Sequence, residues 1–217
     1  GAIGGNGGVT KYCASRLTLS GANNYAGPTT VGGGTLELGP NAQSCILSGG
    51  GADIQAGKIV FDYASGADPI ATIRSLVGAS CDSGKWDVGQ FRDSTATATG
   101  LTLGLLDNAS AKTVTVMATY PGDFNLDGVV DNLDRQVWFA NAFTGSTWQQ
   151  GDANGDGVVN GLDRDMLFSN AGCTAPVTSL MPAVPASGMA AAPEPGTLAL
   201  LAAGLFGLIA FAWWQRR

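Results

Sequence analysis

The chain contains no histidine among its 217 residues. This absence removes the usual general base, the Ser-His-Asp arrangement and most zinc sites. Charge is sparse as well: Asp, Glu, Lys and Arg make up 13% of the residues and sum to −6. A negative balance argues against nucleic acid and anionic lipid as partners. The four cysteines, Cys13, Cys45, Cys81 and Cys173, are widely spaced and form no CxxC pair, so neither a zinc ribbon nor a thioredoxin-like motif is present. One or two disulfides and free buried thiols are equally compatible with that spacing. The sequence opens on neither Met nor a charged and then apolar leader. It is therefore expected to be a mature or truncated product, the C-terminal part of something longer.

What is plentiful is glycine, with 33 residues, alongside Ala, Thr and Ser. That composition favours a β-rich extracellular protein, and the length suffices for one large or two small domains. About half of the acidic residues lie between Asp123 and Asp165, where two copies of one pattern follow each other. GDFNLDGVVDNLDRQVWFANA starts at Gly122 and GDANGDGVVNGLDRDMLFSNA at Gly151, with 13 of 21 positions identical. Such self-similarity marks an internal duplication.

Within each copy, oxygen-bearing side chains fall at loop positions 1, 3, 5, 9 and 12. They are Asp123, Asn125, Asp127, Asp131 and Asp134, then Asp152, Asn154, Asp156, Asn160 and Asp163. Val129 and Val158 at position 7 would each lend a main-chain carbonyl. Calcium takes six to eight oxygens at about 2.3–2.6 Å, and a twelve-residue loop with glycine at position 6 can wrap one ion with them. Gly128 and Gly157 hold that position. Val130 and Val159 at position 8 can pack against each other. Each loop runs into a short helical pattern, Leu133, Val137, Trp138, Phe139 and Leu162, Met166, Leu167, Phe168. Tyr120-Pro121-Gly122 ahead of the first loop speaks against an entering helix.

The pair resembles a type I dockerin, a duplicated calcium-loop module that binds cohesin-type protein domains. The resemblance implies two calcium ions, the ligand role for those positions in both copies, and a cohesin-like or other surface protein module as partner. Leu133 and Leu162 stand where the family often has a polar recognition residue, and Arg135 and Arg164 where it often has an aliphatic one.

Residues 1–50 are glycine-rich, and Leu17 and Leu19, like Leu36 and Leu38, alternate with polar residues between Gly, Asn and Pro clusters. That is a strand-and-turn rhythm. The segment from Leu17 to Gly39 resembles the autotransporter-associated β-strand repeat, whose rungs stack into a parallel β-solenoid. About one rung is expected here, with neighbours supplied from upstream. Residues 51–120 read as a β-rich cap. It would hold a strand over Lys58–Tyr63, a short helix over Pro69–Val77 begun by Asp68, and a hairpin of Leu101–Leu106 with Thr113–Ala118. Asn108-Ala109-Ser110 fits a glycosylation acceptor. Asp62, Asp82, Asp87 and Asp93 could be imagined as a carboxylate-pair site, but scattered aspartates more often serve turns.

The 121–174 module is followed by a Pro/Ala/Ser/Thr-rich linker, 175–195. Pro193-Glu194-Pro195, an uncharged run from Gly196 to Trp214, and Gln215-Arg216-Arg217 close the sequence. The run spans roughly 28 Å as a helix, enough for a bilayer core, with Arg216 and Arg217 on the cytoplasmic side. This tail resembles the PEP-CTERM sorting signal of Gram-negative envelopes, which implies recognition by exosortase-type machinery. The expected architecture is a mainly β N-terminal part, made of a parallel β-solenoid fragment and its cap. A small α dockerin-like calcium module and a single C-terminal transmembrane helix over 196–217 complete it. The expected role is non-enzymatic: an exported, envelope-sorted bacterial surface protein that adheres or assembles through its calcium module. The rival reading is the C-terminal part of a polysaccharide-degrading enzyme whose catalytic domain lies upstream of Gly1.

Overall fold

A computed structural model describes residues 1–176. The linker beyond 176, the sorting residues Pro193, Glu194, Pro195, Arg216 and Arg217, and the expected membrane span over 196–217 lie outside the described residues. Among the described residues no helix is long and apolar enough to cross a membrane.

The first part of the chain is a two-sheet coil of short parallel strands. Strands β1 (Val9–Lys11), β3 (Thr29–Val31), β5 (Ala52–Ile54) and β7 (Phe91–Arg92) stack side by side in one sheet. Strands β2 (Arg16–Leu19), β4 (Gly34–Leu38) and β6 (Gly57–Asp62) stack in the other. Each rung contributes one strand to each sheet, with a tight corner between them. Three such rungs are present, where the sequence rhythm suggested about one. The third occupies 52–62, directly after residue 50.

The register explains the core. Leu17, Leu36 and Ile59 are aligned across the sheet, as are Leu19, Leu38 and Phe61. Because side chains alternate in direction along a strand, these two columns point to one face and pack on Val31, Ile54 and Phe91 of the other sheet. Thr18, Glu37 and Val60 form the alternate column. The spacing between rungs is irregular, because the second carries extra residues in helical turns at Pro40–Ala42 and Cys45–Gly49.

Sheet growth then changes direction. Strand β9 (Thr113–Thr119) pairs antiparallel with β6, and β8 (Thr102–Asn108) pairs antiparallel with β9 as a hairpin. Helix α1 (Ile70–Ser80), begun by the Asp68 carboxylate accepting the Ile70 N–H at 2.9 Å, buries Ile73 and Val77 in the same core. A single turn, α2 (Ala96–Thr99), leads into β8. The helix and the hairpin together close the apolar interior of the coil. All four cysteines are unpaired, with Cys45 buried and Cys13 exposed.

Two further helices, α3 (Asn132–Asn141) and α4 (Gly161–Ser169), belong to the duplicated segment. Its own core holds Phe124, Val130, Trp138, Ala153, Val159 and Leu167. Tyr120 and Trp148 pack against this core and against that of the coil, so the two bodies share side chains.

Candidate metal centre

The two acidic loops fold alike down to individual hydrogen bonds. In the first, the buried Asp134 carboxylate accepts from Phe124 N–H at 2.8 Å and Asn125 N–H at 3.3 Å through one oxygen, and from Asp131 N–H at 2.9 Å through the other. In the second, Asp163 accepts from Ala153, Asn154 and Asn160 at 2.9, 3.3 and 2.8 Å. Asn125 accepts from Asp127 N–H and Asn154 from Asp156 N–H, both at 2.9 Å. Asp127 and Asp156 accept from the Val129 and Val158 amides at the same distance. Asp131 and Asn160 accept from Leu133 and Leu162, which makes them N-caps of α3 and α4 and completes a capping box with Asp134 or Asp163. Each cap satisfies amides that a helix start leaves open, worth about 1 kcal/mol. The position-12 aspartate thus ties loop entry to helix start in both copies.

The first loop is entered as expected, without a helix in front. Strand β9 leads into the first and a single turn, Trp148–Gln150, into the second. The copies are interlocked by a crossed arrangement. Val130 of the first loop pairs through its main chain with Gly172 and Cys173, which follow α4. Val159 of the second pairs with Phe143 and Gly145, which follow α3. Val130 and Val159 are both buried in the shared core. Gly122 and Gly151 carry φ of +110 and +109. A Cβ on Gly122 would lie 2.8 Å from the Leu167 Cα of α4, and one on Gly151 3.2 Å from the Trp138 Cα of α3. Only glycine permits that backbone angle and that approach together.

The loops differ at position 1. Asp152 is satisfied on both oxygens, by Gly155 N–H at 2.8 Å and Gly157 N–H at 2.9 Å. Asp123 accepts from Gly128 N–H at 3.0 Å and from the Thr119 hydroxyl through Oδ2, while its Oδ1 is buried with no partner among the described residues. A buried carboxylate oxygen without a donor is costly, and a cation would relieve that cost. Burial above all, with the neighbouring charges of Asp134 and Asp127, pushes the Asp123 carboxyl up to about 6 against the opposing pull of Thr119. Burial likewise raises Asp134 and Asp152. A bound cation would reverse that balance by favouring the charged forms.

Among the described residues no three Asp, Glu, Cys or His side chains gather into a cluster of their own. An ion in either loop therefore has to draw on Asn oxygens and main-chain carbonyls beside the carboxylates. This mixed oxygen donor set suits a hard cation and not a soft one. The carboxylates also serve loop amides, but each carboxylate oxygen has more than one lone-pair direction, so amide and ion can be accepted together. Residues 123, 125, 127, 129, 131 and 134, and their counterparts 152, 154, 156, 158, 160 and 163, fit such a group. Of the scattered aspartates, two accept from amides of local turns. Asp62 accepts from Ala64 N–H, Asp93 is buried under Thr95, and Asp82 lies 3.9 Å from Lys85.

Leu126, Thr119 and Gly104, which with Trp148 join the module to the hairpin, carry no motif and were invisible in the sequence. Their one trace is that Leu126 replaces the glycine of the second copy at loop position 4.

No curated protein and no solved structure matches the chain. Two family matches cover separate short stretches. Residues 14–38, which run through β2, β3 and β4, match the passenger-associated-transport-repeat, and residues 191–217 match the PEP-CTERM protein-sorting motif. The chain thus carries a repeat of transported surface passengers and the motif by which exosortase-type machinery recognises exported proteins sorted to the cell envelope of Gram-negative bacteria.

Proposed function

We propose that this envelope-sorted protein is a non-enzymatic surface component whose residues 121–174 bind two calcium ions, one per loop, and present a dockerin-like face for protein–protein assembly. The observation that carries the reading is the repetition of one hydrogen-bond pattern in both loops, with Asp123 Oδ1 buried and without a partner among the described residues at the first. Asp123, Asn125, Asp127, Asp131 and Asp134 with the Val129 carbonyl would hold the first ion, and Asp152, Asn154, Asp156, Asn160 and Asp163 with the Val158 carbonyl the second. When bound, the ion supplies positive charge that offsets the carboxylates' repulsion and stiffens the loop.

The assembly role is supported by paired exposed apolar residues at equivalent places on the two helices. Leu133 is 54% exposed and Leu162 61%, Phe139 62% and Phe168 43%. Large apolar side chains left in water at matching positions suit a protein partner engaged through either copy. Membrane delivery is assigned to the tail, with 196–214 as its apolar part.

Calorimetric titration of the purified chain with calcium tests the first half. Two ions are expected, falling to one in Asp134→Ala and in Asp163→Ala. No heat and no calcium-dependent rise in melting temperature would overturn it. For the tail, fractionation of cells expressing the chain with and without 196–217 should show retention only with it.

A further inference from the structure

The two loops repeat each other chemically, yet they join the β8–β9 hairpin differently: the first through its own residues, the second through the Trp148–Gln150 turn in front of it. Thr119, the last residue of β9, donates its hydroxyl to Asp123 Oδ2. The residue in the equivalent place before the second loop is Trp148, and its indole N–H does not serve its own loop. It returns to the main-chain oxygen of Asp123 at 2.8 Å. Both residues that lead into a loop therefore converge on one ligand position.

Three more contacts lie at the same joint. Leu126, at position 4 of the first loop, is buried with Met117 of β9 and Ala175. Its Cδ2 and the Trp148 ring fill the notch at Gly104 of β8, where an added Cβ would come within 2.5 and 2.9 Å of them. Gln149 accepts the Asp107 N–H of β8 at 2.9 Å. The chain leaves the module past the first loop too, with Thr174 bridged to Val129 and Ala175 N–H bound to the Gly128 oxygen at 2.8 Å. In the second loop the Asp152 carboxylate is satisfied by its own loop's glycines.

We infer that an ion in the first loop is the fastener that locks the module onto the β8–β9 hairpin, and that an ion in the second loop is not. This rests on the calcium reading above. An ion that takes Asp123 Oδ1 fixes the plane of that carboxylate, so Oδ2 is held where Thr119 must meet it. Fraying of the end of β9 then requires either the Thr119 bond to break against a fixed acceptor or the ion to leave. Linkage is reciprocal: if the ion steadies the hairpin, an intact hairpin raises the affinity of the first loop by the same factor. Thr119 is accordingly a positioning residue for one of the two ions.

The test is hydrogen exchange on the full chain, in detergent, in saturating calcium and in chelator, with calorimetry on the same samples. The proteins are wild type, Asp134→Asn, Asp163→Asn, Thr119→Val and Thr119→Ser. Calcium should slow amide exchange in 102–108 and 113–119 about tenfold or more in wild type, Asp163→Asn and Thr119→Ser. Hairpin protection should be lost in Asp134→Asn. Thr119→Val should weaken one calcium step severalfold, leave the other unchanged and lower hairpin protection. Should Asp134→Asn fail to fold, the Thr119→Val and Thr119→Ser pair decides alone. Uptake of two ions with protection confined to 122–174 would overturn the fastener and leave calcium binding standing. So would loss of hairpin protection in Asp163→Asn. Absence of any calcium uptake would remove both.

Discussion

Leu126 and Gly155 hold the same position in the two loops and both adopt the left-handed backbone region, with φ of +55 and +74. For leucine that conformation costs roughly 1–2 kcal/mol, which glycine avoids. The leucine side chain is buried against Met117 of the hairpin and Ala175. Burial of a leucine returns about 1.5–3 kcal/mol. Leu126→Gly is therefore expected to destabilise the protein by about 1–2 kcal/mol despite the relieved backbone, read as a lower denaturation midpoint. Equal or greater stability would show that the side chain is not an anchor. Gly155→Leu, with open space around it, should cost about 1 kcal/mol for the backbone alone.

Gly104→Ala places a methyl into the notch filled by Leu126 and Trp148. Overpacking of this kind costs about 1–3 kcal/mol. Denaturation should show that loss, and tryptophan emission should shift as Trp148 is displaced. An unchanged spectrum and midpoint would mean that the module sits less tightly on β8.

In calcium-free protein, stability should fall as pH rises from about 4 to about 6. The Asp123 carboxyl is raised from 3.8 to about 6 in the folded state, so in that window the folded chain keeps a proton that the unfolded chain has released. Stabilisation present at low pH is then lost as pH climbs through the folded value, by at most roughly 3 kcal/mol. Asp134 and Asp152 act in the same direction. Melting temperatures at pH 4.5 and pH 7 in chelator check this, and calcium should abolish or invert the difference. A metal-free protein that is more stable at pH 7 would contradict the carboxylate environment described here.

Phe61→Ala tests the coil itself. Phe61 is fully buried, lies at the end of the Leu19, Leu38 column, and meets Phe91 of the other sheet edge-on at 6.1 Å. Its truncation should cost about 3–5 kcal/mol, measured by chemical denaturation. A loss under 1 kcal/mol would mean that the two sheets are not held by this contact.

The acidic loops were legible residue by residue because their structure is local. A position-12 aspartate meets amides three, nine and ten residues away within one turn-and-helix unit, so spacing in the chain is nearly spacing in space. The hairpin over 102–119 and the helix begun by Asp68 were legible for the same reason. The strands around Leu17, Leu36 and Ile59 were legible one by one, but their stacking into three rungs was not. Val9 lies beside Thr29 and Thr29 beside Ala52, and these unequal steps, with helical turns inserted, erase the period that would announce a repeat.

From the residues alone, then, came the duplicated oxygen pattern, the repeat rhythm of Leu17 to Leu38 and the tripartite tail. These are fixed by order along the chain and survive without a fold. Only the tertiary structure decided that the copies are unequal. Thr119 and Trp148 are 29 residues apart and equivalent in the duplication, yet both bond Asp123. No local rule foretells that, because it depends on which loop lands against the β8–β9 hairpin, and that landing is set by the whole stacked core beneath it.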